Sequence, residues 1–263
     1  MKIAWVTSAS VDDQTQAFNV SRVHAIGLPQ PDWSAAWREH PLAIIAAGPS
    51  VSDHVETLRN WPGERWAING AASWCAQNGI DATFVCIDAA KWDFSVLRPF
   101  NRPGNKALVA SCVDIGLINA LDACRIEVFD IGPNGVPNGS CTATTCLHLA
   151  PRLGHTKSVL FGCESSFRGD LTHVNEREQI SLDHAIMVRC GNENYLTRTQ
   201  LAIQAEELSS AVREFPDIYS EKSGGLLRAM VKHGEYEVVA VSDGVRKTLN
   251  PTPSFDDLPA LTV

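Results

Sequence analysis

At 263 residues, with 44% hydrophobic and 20% charged side chains, the chain has an ordinary globular composition and can bury a sizeable core, which excludes fibrous and disordered classes. The 30 acidic residues outnumber the 22 basic ones for a formal charge of −8, and no basic run interrupts the sequence. An extended nucleic-acid surface needs a positive stripe to displace phosphate counterions and is excluded; a small nucleotide pocket is not.

Lys2–Thr7 is a short apolar strand candidate that meets Ser8 and Asp12-Asp13 too soon for a signal peptide. No later segment approaches the roughly 18 apolar residues of a membrane span. The expectation is a soluble, cytoplasmic protein without a membrane span. Pro and polar residues over Leu28–Trp33 predict a surface connection, so residues 1–40 read as an N-terminal element, 41–245 as the main domain, and the Pro- and Asp-rich 246–263 as an irregular tail.

From there, strand candidates recur at Leu42–Ala47, Trp66–Ile68, Thr83–Ile87, Ala107–Ala110, Arg125–Phe129, Ser158–Phe161 and Glu237–Val241. Most are separated by segments that can hold a helix. That alternation predicts an α/β, Rossmann-like fold: a mainly parallel sheet flanked by crossover helices. After Ser50, helical spacing of Val51, Val55 and Leu58 predicts a helix with Ser50 and Asp53 as a capping box. Ala71–Asn78 should close at Gly79, and Ser140–Leu153 at Gly154. The longest pattern, Leu201 to Phe215, follows Thr197 and Gln200, which have capping-box spacing.

Several strands end in small or polar residues, and in open α/β sheets ligands bind at the carboxyl ends of the strands. Gly48-Pro49-Ser50 can offer backbone N–H groups and a hydroxyl to a phosphate at a helix start. It lacks the Lys of a Walker A loop, and alone it also fits an ordinary turn. Asn69-Gly70 ends the next strand. Asn138-Gly139-Ser140 combines close backbone approach with donors and acceptors for a nucleoside, although N-capping by Ser140 explains part of it. Glu164 follows a strand, and the loop after it carries Asp170 and His173, an acid and an imidazole suited to proton transfer. Asp88, with Asp93 nearby, is a candidate Mg²⁺ ligand, and Ser223-Gly224-Gly225 could wrap a second ligand. None of the eight cysteines forms a Cys-x-x-Cys pair, so they read as reduced core thiols.

In order, Leu42–Ser50, Asn69–Ala72 and Gly79-Ile80 through Asp88 resemble the 6-hydroxymethylpterin diphosphokinase MptE-like family, as do Ser140–Gly154, Ser158–Glu164, Asp170–His173, Gly191 to Thr197 and Tyr219–Gly225. The likeness covers roughly Leu42 to Met230 and extends more distantly to bacterial sialyltransferases. It implies that residues 41–245 form a nucleotide-binding transferase domain. Where those sialyltransferases carry their general-base His, this chain reads Cys190-Gly191-Asn192-Glu193.

The reading that follows is a nucleotide-dependent transferase of glycosyltransferase type using a sugar nucleotide. Gly48, Pro49 and Ser50 would hold phosphate; Asn69, Gly70, Asn138, Gly139 and Ser140 the nucleoside; and Glu164, Asp170 and His173 would face the acceptor, with His173 as base. The alternatives are an ATP-dependent diphosphokinase assisted by Mg²⁺ at Asp88, and a non-catalytic nucleotide-binding module. Acceptor identity stays open, and a homo-oligomer is compatible with the sequence.

Overall fold

The computed structural model describes residues 11–168, 174 and 185–241. Seven strands form the main sheet: β1 (Leu42–Ile45), β2 (Arg65–Ile68), β3 (Thr83–Cys86), β4 (Lys106–Ala110), β5 (Arg125–Phe129), β6 (Ser158–Phe161) and β9 (Tyr219–Glu221). Their order is β5-β4-β3-β2-β1-β6-β9, and every neighbouring pair is parallel. The fold is thus α/β and Rossmann-like. Strands covered on both faces read as unbroken apolar runs, which is why β1 is Leu-Ala-Ile-Ile and wholly buried.

Alternate residues feed two cores. Ala43, Ile45, Ala67, Phe84, Val109 and Phe161 pack with helices α2 (Val55–Arg59), α3 (Ala71–Gln77) and α4 (Ile115–Ala120). Leu42, Ile44, Trp66, Val85, Leu108 and Leu160 pack with α5 (Thr142–Arg152) and α6 (Thr199–Glu214).

A second, antiparallel sheet joins β10 (Glu237–Val241), β7 (Ala185–Cys190) and β8 (Glu193–Arg198) and packs with α6 and α7 (Gly225–His233). β10 therefore stands outside the parallel sheet that its place in the series suggested. It pairs with β7 across a bulge between Val238 and Ala240. Two helix starts also differ from expectation. Pro49 begins a 3₁₀ turn (Pro49–His54) with Gly48 at its N-cap, two residues ahead of Ser50, which therefore lies inside the turn and caps nothing. Thr197 is the penultimate residue of β8, and its hydroxyl donates to the Ser165 carbonyl at 2.7 Å, so α6 starts after Arg198 without a capping side chain.

The N-terminal element contributes α1 (Asp13–Ile26), begun by Asp12 accepting the Thr15 N–H and ended by Gly27 in the left-handed region. Its Asn19, 4% exposed, donates to the carbonyls of Ala89 at 3.1 Å and Cys112 at 3.0 Å, both just beyond β3 and β4. α1 thus lies across the carboxyl ends of those strands. Pro29 then accepts the Val128 N–H and covers the free edge of β5. Lys2–Thr7 lies outside the described residues. Among the described residues no helix is long and apolar enough to cross a membrane.

Candidate functional site

The chain lays β2 to β5 on one side of β1, then returns to place β6 and β9 on the other. The strand order therefore reverses between β1 and β6, the position at which open α/β sheets form a ligand crevice. Gly48 leaves β1 there, and Gly162-Cys163-Glu164 leaves β6. Because β1, β2, β3 and β6 are parallel, Gly48, Asn69, Asp88 and Glu164 all lie at one edge of the sheet.

The β1 and β6 exits are tied together. Gly48 N–H donates to the Gly162 carbonyl at 2.9 Å, and Ser50 N–H donates to Glu164 Oε1. A Cβ on Gly48 would stand 2.2 Å from Glu164 Oε2 and 2.4 Å from the Gly162 carbonyl oxygen, so only glycine fits this approach. Glu164 is 4% exposed. Burial pushes its carboxyl above the usual range, opposed by the Ser50 hydrogen bonding and the Arg168 charge. The Ser50 hydroxyl stands beside this carboxylate, yet Ser50 Oγ and Glu164 Oε2 both lack a partner of hydrogen-bonding geometry.

At the neighbouring exit, Asn69 has φ 48° and its buried Oδ1 is likewise unpartnered. Ser165, directly after Glu164, has φ 55°. Left-handed backbone at non-glycine residues carries strain, and strain of this kind collects at functional sites. Three adjacent strands, β2, β1 and β6, thus each end beside a buried polar atom without a partner. Such atoms are uncommon in folded proteins because each costs about 1–3 kcal/mol.

The Gly48-Pro49-Ser50 turn departs from its expected role. Ser50 N–H goes to Glu164, Gly48 N–H to Gly162, Val51 N–H to the Gly48 carbonyl, and Pro49 has none. No amide of the turn remains for a phosphate, and a carboxylate occupies the place a phosphate would take. Glu164 therefore braces the turn on the β1 side. This tertiary contact, across 114 residues, has no local sequence signal.

Asn138-Gly139-Ser140 is bound to its own surroundings. Thr145 Oγ1 donates to Asn138 Oδ1 and accepts the Gly139 N–H, while Ser140 N–H donates to Glu207 Oε2 at 2.9 Å. Cys141, rather than Ser140, is the N-cap of α5, and a Cβ on Gly139 would overlap Thr144. Gly70 has φ −61° and open space where a Cβ would stand, so its position makes no demand for glycine. Asp88 accepts the Ala90 N–H and Asp93 the Ser95 N–H, each closing a local turn. Among the described residues, no cluster of three His, Cys, Asp or Glu side chains is arranged for a metal. Asp170 and His173 lie outside the described residues.

Ser223-Gly224-Gly225, which could wrap a second ligand or form a flexible turn, instead supports the β6 exit. Ser223 Oγ accepts the Cys163 N–H at 2.9 Å, and Leu227 N–H donates to the Glu164 carbonyl at 3.1 Å. A Cβ on Gly225 would meet Glu164 Cβ at 2.6 Å. The eight cysteines are free, and burial pushes Cys75 up to about 12 and holds Cys146 and Cys163 well above the ordinary thiol range, so none is primed as a nucleophile.

Two open grooves lie away from the crevice. One of about 480 Å³ is lined by Gln30, Trp33, Asp130, Asn134 and Arg152, and an adjoining one of about 290 Å³ shares Gln30 and Asp130. Both border β5, four strands from β1. No protein-family model, curated protein or solved structure matches the chain.

Proposed function

We propose that this chain is a nucleotide-dependent transferase of glycosyltransferase type, with the nucleotide of a sugar-nucleotide donor seated in the β1–β6 crevice. One observation carries the reading: Ser50 Oγ, Asn69 Oδ1 and Glu164 Oε2 are buried and unpartnered at the ends of three adjacent strands, where the strand order reverses. Buried polar atoms left open at a switch point are the groups a polar ligand would satisfy. The ordered resemblance to MptE-like proteins points to the same ligand class.

In the proposed transfer, the acceptor hydroxyl oxygen bonds to the anomeric carbon while the bond from that carbon to the donor phosphate oxygen breaks. The electron pair leaves with the phosphate, and the acceptor proton passes to a base. His173, with Asp170 beside it in sequence, is the candidate for that base. The diphosphokinase reading draws less support, because Asp88 and Asp93 each engage a carboxylate oxygen in a local turn.

Thermal melts across cytidine, uridine, guanosine and adenosine nucleotides and their sugar conjugates, with and without Mg²⁺, test the proposal. One nucleotide class should stabilise the protein, by about 2.7 kcal/mol at a hundred times its Kd, and its sugar conjugate should be consumed when acceptor is present. Absence of stabilisation by every nucleotide would count against the reading. Stabilisation without turnover would favour the binding-module alternative.

A further inference from the structure

The crevice is built for hydroxyl groups rather than for phosphate. Every amide of the Gly48–Val51 turn that could cradle an anion is already bonded within the protein, and the nearest side chain is the Glu164 carboxylate. An arriving phosphate would meet the carboxylate's like charge and no free backbone amide. The open atoms are of the opposite kind: Glu164 Oε2 and Asn69 Oδ1 can accept, and Ser50 Oγ can accept or donate. A neutral group rich in O–H donors complements that set.

Geometry narrows the set further. Glu164 Oε1 holds the Ser50 amide, which fixes the carboxylate across the β1–β6 boundary with the Ser50 hydroxyl beside it. Glu164 is itself fixed from behind, by Leu227 N–H on its carbonyl and by Gly225 against its Cβ. The carboxylate is therefore preorganised, and with the Ser50 hydroxyl beside it offers neighbouring oxygens to two adjacent hydroxyls on one ring. In related open sheets a carboxylate at a strand end binds a ribose hydroxyl by the same chemistry.

We propose that Glu164 and Ser50 recognise the vicinal 2′ and 3′ hydroxyls of the nucleotide's ribose, so that the phosphate lies farther along the crevice and away from the Gly48-Pro49-Ser50 turn. This inference rests on the nucleotide-transferase reading above. It assigns Glu164 to donor binding instead of the acceptor.

Titration calorimetry with CMP, UMP, GMP and AMP, each paired with its 2′,3′-dideoxy counterpart, tests it on the wild type and on Glu164→Gln and Ser50→Ala. The ribonucleotide that binds should exceed its dideoxy partner by about tenfold or more, since hydrogen bonds to a charged acceptor are the stronger kind. That ratio should fall by about tenfold in Glu164→Gln and about threefold in Ser50→Ala, with circular-dichroism melts confirming that both variants are folded. Equal affinities for a ribonucleotide and its dideoxy partner would overturn the inference and leave the nucleotide reading intact. A ratio unchanged in both variants would make Glu164 a brace for the turn and nothing more. Failure of all four ribonucleotides to bind wild type would overturn the reading on which the inference rests.

Discussion

Replacing Gly48 with alanine should damage the protein even without a ligand, because the crevice is assembled by direct contact between two strand exits. The new Cβ would stand 2.4 Å from the Gly162 carbonyl oxygen, about an ångström inside the 3.4 Å at which such contacts become ordinary. Gly162 cannot easily retreat, since its carbonyl follows the β1–β6 ladder, and a Cβ of its own would meet the Ala46 backbone at 2.3 Å. The Gly48 turn must move instead. That movement lengthens the Gly48 N–H bond to Gly162 and the Ser50 N–H bond to Glu164. Overpacking costs about 1–3 kcal/mol and each weakened hydrogen bond about 1, so a loss of roughly 3 kcal/mol is expected. Gly70→Ala is the control: its φ of −61° suits alanine and its Cβ would meet nothing within 4 Å. That change should be neutral or stabilising by about 0.5 kcal/mol. Urea unfolding at pH 7, read as midpoint and slope, measures both. If Gly48→Ala loses less than about 0.5 kcal/mol, the level of an ordinary surface change, the close approach of the β1 exit to Gly162 and Glu164 is wrong.

Glu164→Gln should make the unliganded protein more stable at pH 8 than the wild type. A carboxyl whose folded pKa is raised favours folding below its unfolded pKa and loses that contribution as pH rises through the folded value, so the advantage of glutamine should vanish toward pH 4 in paired denaturation series. His155, 2% exposed beside Trp66, is pushed down to about 4 by burial and by the Arg38 guanidinium, with the Glu64 carboxylate 3.4 Å from its Nε2 on the other side. Its neutral form is the folded form, so stability present above the ordinary 6.5 should drain away between pH 6.5 and 4, by up to about 3 kcal/mol, and His155→Gln should flatten that part of the profile. Asn19→Ala removes both side-chain bonds from α1 to the ends of β3 and β4 and leaves two buried carbonyls short of a donor. It should cost about 2 kcal/mol and expose the 27–41 connection to limited proteolysis; unchanged cleavage there would show that α1 is held by other contacts.

The parallel sheet was legible because its inner strands are buried on both faces, so Leu42–Ile45 and Ser158–Phe161 appear as bare apolar runs. β9 reads only as a strand-like Asp217-Ile218-Tyr219, two residues early, because its Tyr-Ser-Glu lies at the sheet's edge with no face fully covered. The β7–β8 hairpin was missed although its mark is present: Gly191-Asn192 is a two-residue link, and Gly191 has the positive φ of 62° that the first central position of a type II′ turn requires. At the site, local pattern located the strand exits at Gly48, Asn69 and Glu164. Their chemistry was not local, because the carboxylate that occupies the Gly48–Ser50 turn arrives from a strand 114 residues away. Nor could spacing reveal that Thr145 binds the turn at Asn138-Gly139 while Thr144 binds Cys141, since either threonine reads equally well as an ordinary helix residue.

The central claim is that a nucleotide occupies the β1–β6 crevice, and a crystal structure with the nucleotide that most raises the melting temperature tests it directly. The account predicts the ribose against Glu164 and Ser50, within reach of Asn69, with the phosphate displaced from the Gly48–Ser50 turn. A nucleotide found instead in the groove between Trp33 and Asp130, with the β1–β6 crevice unchanged, would contradict it.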